Sequence, residues 1–458
     1  MARKTEGRGR RRPHSRQAPA PAIDPTPRRY RIKALGVSGD GIGRLTDAGG
    51  QQAAPVFIPY TAPGDEVLAR STGKDRATIQ EICVAAPERV TPPCSLFGTC
   101  GGCSLQHLGP EWILKWKTTE VLTGLHRAGA VDLPPAASFQ TPPASRRRAD
   151  LAVKRKHDGV ILGLHRRGGD VVDLTECSLL HPDIVRLLPA LRTAMERLDL
   201  FRREADLVIN LLDSGPDLLL ASDAPPSTAD RTKLAAFCKS HRISRLCWKE
   251  KASQENPEIL VQLAPSVIAF DGVTTEPPSG AFLQASREGE VAIRTAVLDA
   301  LPPSTGRKAK IIELYAGCGT LTFGLSTHAR VEAYEGHPGA IEALTRASAG
   351  RNITPHLRDL NKQPVEAKEL SSALAVVLDP PHAGAGLQMD GILDARPGVI
   401  IYVSCNPRIL YRDTERLLKA GYRIDALTII DQFLWSAETE VVCRFSHSLK
   451  KREKTNNK

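Results

Sequence analysis

The sequence predicts a multidomain chain: a small all-β, OB-like barrel, an α+β central domain, and a C-terminal α/β domain of the doubly wound, Rossmann type. Three observations lead there. At 458 residues the chain exceeds one ordinary core. Short apolar segments punctuated by glycine fill residues 30–90. Beyond about 279, strand and helix patterns alternate, and the β-branched run Val399-Ile-Ile-Tyr-Val403 stops at Ser404-Cys405-Asn406-Pro407.

From the N-terminus, residues 1–28 are rich in Arg, Pro and Ala and are expected to be a disordered basic tail. Residues 1–30 hold nine Lys/Arg and two acids; the basic tail 447–458 holds five Lys/Arg and one acid. The two ends therefore account for the whole net charge of +11 and leave a formally neutral body. Basic arms on a neutral body suit a polyanion such as nucleic acid, which gains affinity from counterion release. No apolar run reaches membrane-spanning length and no apolar segment follows the basic N-terminus, so a cytoplasmic protein is expected.

Strands are expected at 31–35, 41–45, 54–58, 65–71 and 78–85, with Gly39, Gly41, Gly43 and Pro63-Gly64 as turns. Five such strands in about sixty residues suit a small closed barrel; its domain is set at 29–90. Residues 91–275 form the central domain. It opens with Cys94-x5-Cys100-Gly-Gly-Cys103, then an amphipathic helix over 110–128, a Pro/Ala/Ser linker at 136–145, and a strand-rich region to about 270. The basic run Arg146 to Arg167 offers a second phosphate-contacting surface. In the last domain, 276–446, strands are expected at 310–315, 330–335, 374–378, 398–403, 424–430 and 440–445. Helices are expected at 284–300, 319–328, 338–349 and 409–420.

The chemistry concentrates at strand ends. Glu313-Leu-Tyr-Ala-Gly317-Cys-Gly319 is a strand opening into a glycine turn, which lets backbone approach a ligand. The next strand ends in Glu335, an acid suited to a ribose hydroxyl pair. A full Gly-x-Gly-x-x-Gly is missing, so S-adenosyl-L-methionine fits better than a dinucleotide. Asp379-Pro-Pro381 follows an apolar run, and Cys405 closes another. A thiol at the carboxyl end of a buried strand, beside a cofactor turn, reads as a transferase with a covalent step. Cys94, Cys100, Cys103 and the distant Cys177 are a candidate four-thiolate site, for zinc or an iron–sulfur cluster. Ten cysteines without a secretory context argue against a disulfide scaffold. Cys83 is read as a bystander and Cys238, Cys247, Cys318 and Cys443 as structural.

With these motifs in place, the chain from Tyr30 to Phe445 resembles the bacterial RNA uracil-5-methyltransferases, especially those acting on 23S ribosomal RNA. Gly39-Asp-Gly-Ile-Gly43, Phe57-Ile-Pro59 and Pro63-Gly-Asp-Glu-Val67 are similar to a TRAM domain, an RNA-binding barrel. The resemblance implies that Cys94, Cys100, Cys103 and Cys177 ligate a [4Fe-4S] cluster. It implies that Gln284, in Phe282-Leu-Gln284, lies near the methyl donor, and that Tyr315, Thr320, Glu335, Asp359 and Asp379 belong to the cofactor site. Ser404-Cys405-Asn406-Pro407 matches the catalytic motif, and Glu440, in Glu438-Thr-Glu440, falls at the proton-abstracting glutamate. A monomer acting on RNA, with 23S ribosomal RNA as the expected partner, follows from the same resemblance.

The chain departs from the family pattern at Ser286 and Thr320, where Asn is common, at His382, where Arg is usual, and at Leu434-Trp435, which replaces Phe-Pro. Two alternatives stand beside this expectation. Cytosine-C5 methylation is disfavoured because its cysteine follows Pro-Pro directly, and here that position is His382. A non-catalytic RNA-binding, cluster-holding protein is opposed by the intact Cys405 and Glu440.

Overall fold

A computed structural model describes residues 26–46, 54–251, 253, 255–303 and 309–447. The N-terminal tail expected to be disordered and the basic C-terminal tail lie outside these residues, apart from residues 26–28 and His447.

The first compact unit is an antiparallel sheet of β1 (Arg28–Leu35), β2 (Gly41–Leu45), β3 (Val56–Ile58), β4 (Glu66–Ser71) and β5 (Ala77–Val84), in the order β3-β2-β1-β4-β5. The Phe57 N–H donates to the Asp75 carbonyl at 2.8 Å, so β3 returns to the entry of β5 and the sheet curls closed. Tyr30, Ile32, Ile58 and Val67 fill the interior. Gly41 is required there: a Cβ would stand 2.0 Å from Thr61 Oγ1. This unit ends at Ala86, four residues short of the expected boundary.

Next come α1 (Pro110–Arg127) and β6 (Ala136–Gln140). The central sheet follows: β7 (Arg148–Lys156), β8 (Gly159–His165), β9 (Val171–Asp173), α2 (Pro182–Glu196), β10 (Glu204–Leu212), β11 (Gly215–Ser222), α3 (Thr228–His241), β12 (Arg245–Glu250) and β13 (Glu258–Gln262), ordered β13-β12-β11-β10-β7-β8-β9. Its strands alternate, sending Leu151, Val153, Leu207, Ile209, Leu218 and Leu220 into one core against Leu188 and Leu191 of α2 and Leu234 and Phe237 of α3. Ser227 and Asp230 form a reciprocal capping box that starts α3. A small ribbon, β14 (Ile268–Phe270) and β15 (Val273–Thr275), leads out.

The last layer contains α4 (Arg287–Asp299), β16 (Lys310–Leu314), α5 (Thr322–Ser326), β17 (Arg330–Glu335), α6 (Pro338–Ala347), β18 (Ile353–Leu357), α7 (Ala367–Leu370), β19 (Ala375–Leu378), α8 (Gln388–Ala395), β20 (Val399–Ser404), α9 (Pro407–Lys419), β21 (Tyr422–Asp431) and β22 (Glu440–His447). The sheet order is β18-β17-β16-β19-β20-β22-β21-β6, parallel from β18 to β20, with β22 antiparallel to both its neighbours. All six residues of β20 are buried, which is why its sequence runs apolar without alternation. Val403, Val377 and Ile311 face α4, whereas Tyr402, Leu378 and Ile312 face α1 and α9. Each such aliphatic side chain contributes about 1.5–3 kcal/mol by leaving water.

Four expectations need correction. Residues 136–140 are not linker: β6 lies parallel to β21 at the sheet edge, with Leu427 opposite Ala136 and Asp431 opposite Gln140. Flanking prolines and a short, weakly apolar Ala-Ala-Ser-Phe-Gln hide that strand, since an edge position asks little of its side chains. The domain boundary at 275/276 is also not clean, because Val121 and Leu125 of α1 share a core with β20 and β22. Helix 319–328 shrinks to α5, since the glycine turn keeps residues up to Leu321 irregular. Finally, part of the basic run is spent internally. Arg147 is buried and ion-paired with Glu290, and Arg148 donates to the Ala281 carbonyl at 2.7 Å and pairs with Asp150 at 2.8 Å. Arg166 and Arg167 remain exposed.

Candidate active site

The order of strands reverses between β16 and β19, and in such sheets the crevice beyond the carboxyl ends at that point takes the ligand. Because β22 runs antiparallel to β20, its first residue lies at that same edge. The register sets Ser404 opposite Val441, so Cys405 and Glu440, one step further out on each strand, meet there. Asn406 starts α9 and donates through Nδ2 to the His382 carbonyl at 2.9 Å, tying the Cys405 turn to the turn after Asp379-Pro-Pro381. The substitution at His382 leaves that backbone acceptor intact.

Burial pushes the Cys405 thiol up to about 12, and the carboxylates of Glu440 and Asp379 push it further in the same direction. Glu440 itself is buried, and desolvation together with Asp379 raises its carboxyl well above the usual range. Asp379 is raised by desolvation as well. These groups are joined by amides. Gln284 Nε2 donates to Asp379 Oδ2 at 3.2 Å, and Gln432 Nε2 donates both to Gln284 Oε1 and to Glu440 Oε2, each at 2.8 Å. Gln432 Oε1 accepts the Ala285 N–H at 3.1 Å, which fixes the amide's orientation. Among the described residues Glu440 Oε1 has no hydrogen-bond partner although it is buried. One carboxylate oxygen is thus held and the other is free to take a proton.

Ser286 caps α4, its Oγ accepting the Gly289 N–H at 2.9 Å. It does the helix-capping work an Asn would do there, and it leaves Gln284 extended ahead of the helix. Phe282 projects, 73% exposed.

The glycine turn forms the other half of the crevice. Tyr315 adopts φ +66, a left-handed conformation that costs a non-glycine residue about 1–3 kcal/mol, and donates its hydroxyl to the Ala385 carbonyl at 3.0 Å. Glu335 accepts the Gly317 N–H at 2.9 Å and the His337 N–H at 2.7 Å, binding the end of β17 to the turn. Thr320 stands half-buried before α5. Asp359 accepts the Asn361 N–H at 3.1 Å and pairs with Lys362 at 3.0 Å, which lowers its pKa. Glu313, fully buried behind the turn, is pushed up to about 8 by burial, eased by Thr322, with Asp379 and Glu335 adding to the rise. The donor set of acids, backbone turn and Gln284 amide fits a cationic adenosyl ligand.

Around the four cysteines, Ser95 donates to Glu176 Oε1 from both N–H (2.7 Å) and Oγ (2.5 Å), drawing the Cys94 loop against the segment holding Cys177. Desolvation raises the Cys103 thiol to about 12, and Cys177, Cys100 and Cys94 add to the rise, so the four thiols share one neighbourhood. Gly102 N–H donates to Cys100 Sγ at 3.4 Å. A Cβ on Gly101 would stand 2.3 Å from the His165 carbonyl. Among the described residues no group of three or more His, Cys, Asp or Glu side chains is arranged to hold a single metal ion. Four thiolates are donors that either a tetrahedral zinc or an iron–sulfur cluster accepts.

Nothing in the linear sequence singles out Gln432, hidden between Asp431 and Phe433, or Lys117, one cation on an amphipathic helix. Glu313 carried a signal, an acid inside the apolar run Ile311-Ile312-Glu313-Leu314. Lys117 is buried against Asp431, Nζ to Oδ1 2.5 Å; desolvation lowers its pKa and Asp431 opposes that. Breaking such a pair on one side leaves a buried charge, at a cost of about 3–5 kcal/mol. For Gln432→Met, loss of the bond to the Glu440 carboxylate is expected to slow any step in which that carboxylate takes a proton by about 10–100-fold, with substrate KM unchanged. Single-turnover kinetics check this, and a parallel rise in KM would contradict it.

A family model described as tRNA (uracil-5-)-methyltransferase matches residues 340–445. The chain is 36% identical over 426 residues to an uncharacterized RNA methyltransferase of Rhizobium meliloti, covering 90% of this chain and 97% of the relative. It is 31% identical over 449 residues to the 23S rRNA (uracil(1939)-C(5))-methyltransferase RlmD of Nitrosococcus oceani, covering 93% and 97%. The fold is similar to that of the Pyrococcus abyssi tRNA (uracil-54, C5)-methyltransferase solved with S-adenosyl-L-homocysteine. The TM-score is 0.67 and the identity 21%, over 91% of this chain and all of the other.

Proposed function

Since the chain belongs to the RNA uracil-5-methyltransferase family, we propose that it methylates uracil C5 in ribosomal RNA through a covalent Cys405 adduct, with Glu440 as the base that releases the product. The enzyme class, an S-adenosylmethionine-dependent RNA uracil-5-methyltransferase, follows from the family. Ribosomal rather than transfer RNA is favoured by the full-length similarity to a 23S rRNA enzyme.

One observation carries the chemical reading: Cys405 and Glu440 lie at facing strand ends, and the amide chain Gln432–Gln284–Asp379 joins the second to the cofactor side. Uracil C5 is too weak a nucleophile to take a methyl group unaided. The Cys405 thiolate adds to C6, and the electron pair moves to C5 and O4. Bound S-adenosylmethionine supplies an electrophilic methyl group on a positively charged sulfur. C5 forms the new carbon–carbon bond as the methyl–sulfur bond breaks, leaving S-adenosylhomocysteine. Glu440 Oε1 then takes the C5 proton, the C5=C6 double bond re-forms, and the thiolate leaves. One proton passes to solvent per cycle.

Gln284, Tyr315, Thr320, Glu335, Asp359 and Asp379 are assigned to the methyl donor. Asp379 and Gln284 lie nearest the reacting end by their bonds to the Glu440 chain, and Glu335 is suited to the ribose. Cys94, Cys100, Cys103 and Cys177 are assigned to a [4Fe-4S] cluster that binds the 94–103 loop to the segment around Cys177. The first five strands are read as a TRAM-like barrel which, with the basic ends of the chain, holds RNA by its phosphates. The exposed Phe282 offers a ring to an unstacked base. No helix among the described residues is long and apolar enough to cross a membrane. The protein is taken to act as a monomer in the cytoplasm.

Nucleoside mass spectrometry on separated ribosomal and transfer RNA, from cells with and without the gene, tests the substrate. 5-Methyluridine is expected to disappear from ribosomal RNA only. Its loss from transfer RNA would reassign the substrate, and loss of a methylated cytosine would reject uracil.

A further inference from the structure

Glu440 is delivered to the crevice by an irregular connection, residues 432–439, between β21 and β22. This connection is held from outside. Lys117, inside the core on α1, donates to Asp431 Oδ1 at 2.5 Å, to the Glu438 carbonyl at 2.6 Å and to the Phe433 carbonyl at 3.2 Å. An ammonium has three hydrogens to donate, and here each has a partner. The partners span the connection: the residue before it, its second residue and its second-last. Asp431 is fixed from the far side too, its Oδ2 accepting Gln140 Nε2 at 2.9 Å and its carbonyl accepting the Thr141 N–H at 3.1 Å. A second anchor comes from the cysteine loop, where the backbone N–H groups of Ser104 and Leu105 both donate to the Trp435 carbonyl, at 2.9 and 3.0 Å. Trp435 is buried and adopts φ +60, so its carbonyl is turned toward that loop.

We propose that Lys117 is a positioning residue for Glu440: by gripping both ends of the 432–439 connection it fixes where the base stands relative to the Cys405-bound uracil. A core site on α1 could hold a leucine or methionine at no electrostatic cost. A buried cation instead gives the Glu438 carbonyl a donor, joins the Ser436 N–H and Oγ on the Phe433 carbonyl, and pairs with the Asp431 carboxylate. Among the described residues the hydrogen bonds of Lys117 go to Asp431, Phe433 and Glu438, not to Cys405, Glu440 or the Gln284 chain, so it acts through the connection. The proposal rests on Glu440 as the proton-abstracting base. It assigns the step Lys117 serves: proton removal from C5 and release of the thiolate, not methyl transfer.

The test uses full-length Lys117→Met, the double variant Lys117→Met/Asp431→Leu, in which an apolar pair replaces the ion pair, and Glu440→Gln as reference. Each is mixed with substrate RNA and methyl-labelled S-adenosylmethionine in a single turnover. Label in protein-linked RNA on a denaturing gel and in free RNA is followed over time. Thermal unfolding and S-adenosylmethionine binding by calorimetry report the fold. The double variant is expected to fold and to bind the donor as the wild type does. It should transfer methyl within about threefold of the wild-type rate, yet resolve the labelled adduct at least about tenfold more slowly. Wild-type resolution in the folded double variant overturns the proposal, as does a parallel fall of transfer and resolution. A double variant that does not fold overturns it as well, because Lys117 would then be holding the core rather than the base. If the single variant alone is unfolded, the double variant decides. Free product from Glu440→Gln removes the base assignment itself, and the two failures are told apart by that reference reaction.

Discussion

Cys405→Ala is expected to abolish 5-methyluridine formation, by on the order of 10⁴-fold or more, while leaving RNA and S-adenosylmethionine affinity close to wild type. The asymmetry follows from geometry. Cys405 sits at the end of β20, whose strand and register do not depend on that side chain, and the turn after it is held by Asn406 through the His382 carbonyl. Removing one sulfur deletes the C6 nucleophile and little else. The pH dependence carries the same signature. With its thiol raised to about 12, free Cys405 is protonated at neutral pH. The thiolate fraction, and with it the rate of adduct formation, therefore rises with pH through the neutral and alkaline range in the wild type. No adduct forms at any pH in the variant. Denaturing gels of protein mixed with RNA containing 5-fluorouridine, from which C5 cannot shed a proton, read this directly. Methylation surviving in Cys405→Ala would reject the covalent route.

How far the site was legible depends on whether its chemistry sits on a regular element. Cys405 and Asp379 each end an apolar run and Glu335 ends a mixed, part-buried strand; all three strands are parallel, so their ends gather along one edge of the sheet. Residue order then suffices. Glu440 needed more, because only the antiparallel insertion of β22 between β20 and β21 returns it to that edge. Resemblance supplied this where periodicity could not. Gln432 and Lys117 stayed invisible for a different reason: each works through contacts across at least 100 residues of chain, to Gln284 and to Asp431, and neither type is unusual in its local setting. The β6 strand was missed because an edge position makes weak demands on composition. The basic run at Arg147 and Arg148 misled in the opposite sense. Charge density in a sequence does not distinguish a phosphate-binding face from guanidinium groups folded onto buried carbonyls and Glu290.

Glu440→Gln is expected to stop the reaction one step later than Cys405→Ala, and this separates the two roles. The substitution keeps size and the contact with Gln432, so the connection and the cofactor side should stand. Cys405 can still add to C6, and methyl transfer can still occur, since neither step asks a proton of Glu440. What is lost is the acceptor for the C5 proton. Burial and the neighbouring Asp379 raise the proton affinity of this carboxylate, which is the property a carbon base needs, while the Gln432 N–H holds Oε2 and leaves Oε1 for the proton. A neutral amide has no comparable affinity, so turnover should fall by about 10²–10⁴-fold. The methylated RNA should stay attached to Cys405, as a band carrying both protein and methyl label that survives denaturation and contains stoichiometric, not catalytic, methyl. Because the amide also removes a negative charge beside Cys405, the thiol becomes easier to ionise, and adduct formation should be no slower than in the wild type. A variant that forms no adduct would place Glu440 before methyl transfer. One that releases free 5-methyluridine at the wild-type rate would give the proton to another group, and the raised carboxylate of Asp379, at the other end of the same amide chain, is the next to test.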